Sequence, residues 1–123
     1  MKKTTKRGGK TTSFYITQDL RDLVTFLRYR EEMSKRNFYR RAMRYFLAGD
    51  HQIDPRLRIT EREDPEYIRR DVPETMTFDV GQMMQIKQVA AEQDCKECHV
   101  IFQGVLNYCA MLLTIDQTGV SLD

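Results

Sequence analysis

The residues of this chain best placed to do chemistry are Cys95-Lys96-Glu97-Cys98-His99, a C-x-x-C-H run. That spacing is the one used for covalent haem attachment, and two thiols with an imidazole also suggest zinc. Neither reading is favoured. Haem attachment of this kind goes with export, and the basic N-terminus MKKTTKRGGK leads into no apolar h-region. A structural zinc site wants four ligands, and the remaining candidates, Cys109 and His51, have no matching spacing. Cys109 stands about 10 residues further along the same expected helix, roughly 15 Å away, and is expected to fill core space. With only two histidines, neither near an evident nucleophile except Cys98, acid–base or thiol catalysis has little support. Gly8-Gly9 follows no strand and makes no phosphate loop. The expectation is a protein that is not an enzyme, with no cofactor, metal or small-molecule substrate.

A second set of residues points to a polyanion. The formal net charge of +2 conceals an asymmetry: residues 1 to 50 hold 13 Lys and Arg against 5 Asp and Glu, net +8, and residues 51 to 123 hold 7 against 13, net −6. The first half is the side that would face a polyanion. It also carries hydroxyls at alternate positions, Thr11, Ser13 and Tyr15, and the second half repeats the device with Thr75 and Thr77.

The elements that must position these residues occur twice. Residues 12 to 47 lie over 74 to 109 with a shift of 62 and no gap, matching apolar position to apolar position. Phe14 and Ile16 fall on Met76 and Phe78, Val24 and Leu27 on Ile86 and Val89, and Phe38 and Tyr39 on Val100 and Ile101. Each copy reads strand, helix, helix. Thr12 to Ile16 and Glu74 to Phe78 alternate polar and apolar, the pattern of a half-buried strand. Thr17 and Asp79 stand next as N-caps, Asp79 with Gln82 as a capping box. Leu20, Leu23, Val24 and Leu27 form the stripe of the first helix; in its counterpart Gln82 replaces Leu20, and Met83, Ile86, Val89 and Ala90 carry the face. Ser34 caps a second helix that Gly49 ends, and in the second copy Asp94 with Glu97 is a candidate capping box slightly before the aligned Lys96.

This order closely resembles the ribbon-helix-helix family, the Arc and methionine-repressor type of bacterial DNA-binding protein. The resemblance rests on Thr12 to Ile16, on Leu20, Val24 and Leu27, and on Ser34 to Leu47. It implies a mainly α fold with a short β-ribbon, present twice, in which the copies form a pseudo-dimer within the chain around a two-stranded antiparallel ribbon. A linker of about 26 residues can span that distance without proving the pairing, so a homodimer pairing like copy with like stays open. The expected organisation is a basic flexible arm at 1–10, copy one at 11–49, a charged linker at 50–73 with a short helical stretch around Glu66 to Arg70, copy two at 74–113 and a tail at 114–123.

A two-stranded ribbon fits the major groove of double-stranded DNA. Phe14 and Ile16 would face the core, leaving Thr11, Ser13, Tyr15, Thr75 and Thr77 for base readout. Phosphate contacts are expected from the second helix of copy one, at Ser34, Lys35, Arg36 and Arg40, from Lys96 in copy two and from Lys10, with Lys2, Lys3, Lys6 and Arg7 of the arm adding salt-sensitive attraction. Asp94 and Glu97 crowd the second site, so poorer phosphate binding is expected there. The favoured role is sequence-specific DNA binding by a transcriptional repressor. An accessory protein of plasmid transfer or maintenance and an antitoxin-like interaction module are the alternatives. Short apolar runs and an odd cysteine count lead to the expectation of a cytoplasmic protein that spans no membrane.

Overall fold

Residues 9–118 are described by the computed structural model, with side chains as far as residue 115. The order is β1 (Lys10–Ile16), α1 (Gln18–Arg30), α2 (Lys35–Ala48), a connecting segment, β2 (Val72–Phe78), α3 (Val80–Glu92) and α4 (Glu97–Thr118). Each element of the second half starts 62 residues after its counterpart. The arm residues Lys2, Lys3, Lys6 and Arg7 lie outside the described residues, as do the last five residues of the expected tail.

The strands pair antiparallel within the one chain, Thr11 opposite Thr77, Ser13 opposite Thr75 and Tyr15 opposite Pro73. Thr75 is the counterpart of Ser13 at the shift of 62, so a two-fold axis relating the halves passes through that pair. Phe14, Ile16, Met76 and Phe78 point inward and are buried. β2 begins at Val72, two residues before the alternation suggested, because Val72 and Pro73 still pair with Ile16 and Tyr15.

Three expected caps close helix starts. Thr17 Oγ1 accepts from the Leu20 N–H at 3.0 Å, Ser34 Oγ from Asn37 at 3.1 Å and Asp79 Oδ1 from Gln82 at 2.7 Å. The return arm of the Asp79/Gln82 box is not made. Gln82 Nε2 instead donates to the Arg40 carbonyl of α2 at 2.9 Å, tying α3 to α2.

The turns after α1 and α3 have the same backbone built from different residues. Glu31, Glu32 and Met33 donate back to Leu27, Tyr29 and Arg28; Gln93, Asp94 and Cys95 donate to Val89, Ala91 and Ala90. Glu32 (φ 53°) and Asp94 (φ 52°) both take the left-handed conformation. Asp94 therefore belongs to the turn and does not form the expected box with Glu97.

α2 and α4 make the principal helix contact of the core. Phe38, Tyr39, Ala42 and Met43 are fully buried against Val100, Ile101, Val105 and Cys109. Over residues 97–115 the mean hydropathy reaches 1.5, long and apolar enough by composition to cross a membrane, which short run lengths had not suggested. Burial against α2 accounts for that composition. α4 also runs on to Thr118, through residues expected to be tail.

The connecting segment is a packed element and not a loose tether. Ile53 and Leu57 are buried, the latter on a 3-10 turn at Pro55–Arg58 that replaces the helical stretch expected around Glu66 to Arg70. Side-chain amides hold it to the second half: Gln93 Oε1 accepts from the Ile53 N–H at 2.9 Å, Gln93 Nε2 donates to the His51 carbonyl, and Gln103 Oε1 accepts from Asp54 at 2.8 Å. Burying Ile53 and Leu57 is worth roughly 1.5–3 kcal/mol per side chain before the entropy of ordering the segment is subtracted.

Candidate nucleic-acid interface

Because the period of a strand is two residues, burying Phe14, Ile16, Met76 and Phe78 forces their neighbours to the outer face. Thr11, Ser13, Tyr15 and Thr75 are exposed there and Thr77 is half-buried. The five expected readout residues are thus brought together on one surface. Thr11 and Thr77 share a hydroxyl hydrogen bond at 2.8 Å, and Ser13 and Thr75 one at 3.4 Å. In each pair one hydroxyl acts as donor, leaving the other with a proton free for an outside acceptor. Tyr15, 58% exposed, is the largest side chain on this face.

Pro73 is the sixth outward residue, opposite Tyr15, a position missed because the strand was expected to begin at Glu74. It supplies no hydroxyl and no N–H, so the face is chemically lopsided about its own axis.

On the inner face Glu74 sits opposite Phe14 and is buried. Its carboxylate accepts from Lys35 Nζ and, at 3.3 Å, from the Tyr39 hydroxyl. Burial, reinforced by the adjacent carboxylate, raises the Tyr39 pKa far above its ordinary value and keeps it a donor. Lys35, expected to meet phosphate, is thereby drawn into an ion pair with β2. Ser34 and Arg36 remain exposed at the start of α2. Arg40 is half-buried with its Nε removed from solvent, and Lys10 is exposed at the end of the ribbon.

At the start of α4 the C-x-x-C-H run has a structural use. Lys96 precedes the helix, and its N–H donates to His99 Nδ1 at 3.2 Å, the return arm of a capping box made by an imidazole. Accepting that bond requires an unprotonated Nδ1. Burial, with the Arg70, Lys96 and Arg58 cations nearby, holds the His99 pKa down to about 4 from its ordinary 6.5. Cys109 is fully buried, which pushes its thiol up to about 12, and burial raises Cys95 also. Among the described residues no three His, Cys, Asp or Glu side chains converge as a metal site would need.

The folded state disfavours the imidazolium, so between pH 6.5 and about 4 the unfolded chain binds more protons. Stability should be complete above that window and fall by roughly 1–3 kcal/mol as the pH drops through it. Thermal melts of the wild type and His99→Gln, which keeps an acceptor at the capping position, should diverge only on the acid side. Parallel curves would contradict the neutral cap.

Beside the ribbon a groove of about 400 Å3 runs from Ser13 and Tyr15 to the start of α4, with Arg62, Tyr67 and Arg70 of the connecting segment along it. Arg62 and Arg70 belong to the segment that reads in the sequence as a charged linker, where no short-range signal tied them to the ribbon.

Comparison of the chain with family models, with curated proteins and with solved structures finds no match.

Proposed function

We propose that this protein binds double-stranded DNA sequence-specifically, laying its ribbon in the major groove as a ribbon-helix-helix dimer contained in one chain. The observation that carries the reading is the outer face of the ribbon: Thr11, Ser13, Tyr15, Thr75 and Thr77, on paired strands about a two-fold axis, with the core on the other side. Two strands are narrow enough for the groove, and hydroxyls pair with both donors and acceptors on base edges. The repeated strand, cap, helix, turn and helix boundaries support the tandem reading.

The role that follows is transcriptional regulation, with accessory binding in plasmid transfer or maintenance served by the same surface, and a cytoplasmic location fits either. DNA is preferred over protein capture because the connecting segment, the piece that could have held a partner, spends Ile53 and Leu57 on this chain's own core.

Selection from a random genomic DNA pool at two salt concentrations tests the reading. A motif retained at the higher salt is the expected result; no enrichment, or binding abolished by salt, would overturn specific readout. With the motif in hand, Ser13→Ala/Tyr15→Ala should lower the ratio of specific to random affinity by about 10-fold or more, equivalent to roughly 1.4 kcal/mol, and leave the far-ultraviolet spectrum unchanged. Equal losses on both DNAs would contradict base readout by these two side chains.

A further inference from the structure

The connecting segment carries five arginines, and they divide by partner. Arg56 pairs with Asp54 at 2.6 Å, Arg69 with Asp71 at 2.7 Å, and Arg58 donates to the Gln93 carbonyl at 2.8 Å. The other two, Arg62 and Arg70, have no carboxylate within ion-pair distance among the described residues, and they are the two that line the groove beside the ribbon. Lys96 lines it as well, and no acidic residue does.

Arg70 stacks its guanidinium 5.9 Å from the Phe102 ring centre, while its Nη1 is shielded from solvent and has no hydrogen-bond partner. A shielded, unsatisfied cationic donor is costly, and an anionic oxygen is the partner that best removes the cost. The depressed pKa of His99, caused after burial by Arg70, Lys96 and Arg58, reports the same local excess of positive charge. Ser13 and Tyr15 form one wall, so whatever fills the groove lies next to the readout face.

We infer that Arg62, Arg70 and Lys96 form a phosphate-binding groove, built by the connecting segment, that receives a DNA backbone phosphate flanking the bases reached by Ser13 and Tyr15. The inference rests on the DNA-binding reading and extends it. The second half, whose α4 begins with Glu97-Cys98 after Lys96 and lacks the Lys35-Arg36 pair of α2, borrows its cations from the connecting segment. Guanidinium groups suit this role because their planar donors match phosphate oxygens.

The test is binding of wild type and Arg62→Gln to a random-sequence duplex and to the selected motif across a salt series, followed by fluorescence anisotropy. Arg62 is exposed, so the substitution should leave the melting temperature unchanged. Affinity should fall about 3- to 10-fold on both duplexes, and the slope of log K against log salt should flatten by about 1. Arg70→Gln should act in the same direction, and Arg70→Lys, which keeps the charge, should hold the slope if the first variant proves unstable. An unchanged slope for Arg62→Gln, with wild type binding normally, overturns the groove. Wild type that binds neither duplex overturns the DNA reading beneath it. Inorganic pyrophosphate that binds wild type but not Arg62→Gln, with duplex affinity unaffected by the substitution, assigns the groove to a free phosphate ligand and overturns the backbone contact.

Discussion

Ile16→Asp should leave a chain that does not fold. Ile16 is fully buried at the end of β1, opposite Val72 of β2. The substitution gives up about 1.5–3 kcal/mol of apolar burial and takes a carboxylate out of water into the core, at a further cost of several kcal/mol. A domain of this size has roughly 5–15 kcal/mol to lose. Slipping the strand by one residue would expose the aspartate, but it would also turn Phe14 outward and bury Tyr15 and Ser13, so register change offers no escape. Tyr15→Asp is the control, because that side chain is already on the solvent face. Circular dichroism at 222 nm and a thermal melt should show a helical, cooperative control and an unfolded Ile16→Asp chain. A stable, helical Ile16→Asp protein would refute the strand orientation on which the proposed readout face depends.

Gly104→Val is expected to be nearly as damaging from the opposite side of the core. A Cβ at this position in α4 would lie 2.2 Å from Met43 Cε and 3.2 Å from Phe46 Cβ on α2. A methionine methyl is normally mobile enough to move aside, but Met43 is fully buried and Phe46 nearly so, and little room remains for the displaced atoms. The glycine lets the two helices approach closely, and the helix propensity it sacrifices, about 1 kcal/mol against alanine, is smaller than the overpacking that replaces it. Valine should cost about 2–4 kcal/mol, lowering the melting temperature by roughly 4 °C for each kcal/mol. If the Met43 contact is the cause, Gly104→Ala alone should destabilise, and adding Met43→Ala should cost less in that background than in the wild type. Additive effects in this double-mutant cycle would mean that the close approach is not where the strain falls.

Both substitutions act on features that are very unequally visible in the sequence. The inward parity of Ile16 shows in five residues of alternating polarity. Gly104 carries no local sign of its packing role. It aligns with Ala42, which marks a small position, but the identity of the opposing side chain depends on how two helices separated by the connecting segment cross. Glu74 is a similar case. It falls on the inward parity of β2, where an acid looks out of place, and its partners Lys35 and Tyr39 come from a helix more than 30 residues earlier. The C-x-x-C-H run shows the same limit, since its spacing brings ligation to mind and only the folded helix start reveals His99 Nδ1 accepting from the Lys96 N–H.

What the amino-acid sequence determined by itself was most of what depends on neighbours a few residues apart, the Asp94/Glu97 box and the helical stretch around Glu66 to Arg70 being local readings that did not form. Strand alternation, the caps at Thr17, Ser34 and Asp79, the apolar helix stripes and the shift of 62 that relates the halves are all of this kind, because backbone periodicity and capping act over two to four residues. Tertiary structure alone decided which surfaces meet. It paired β1 with β2 inside one chain, committed Lys35 to Glu74, turned Gln82 away from its own cap toward Arg40, and laid the connecting segment along α3 and α4 so that Arg62 and Arg70 border the ribbon. Those outcomes rest on partners tens of residues apart. Each is settled by the joint burial of several elements at once, and no short stretch of the chain contains that information.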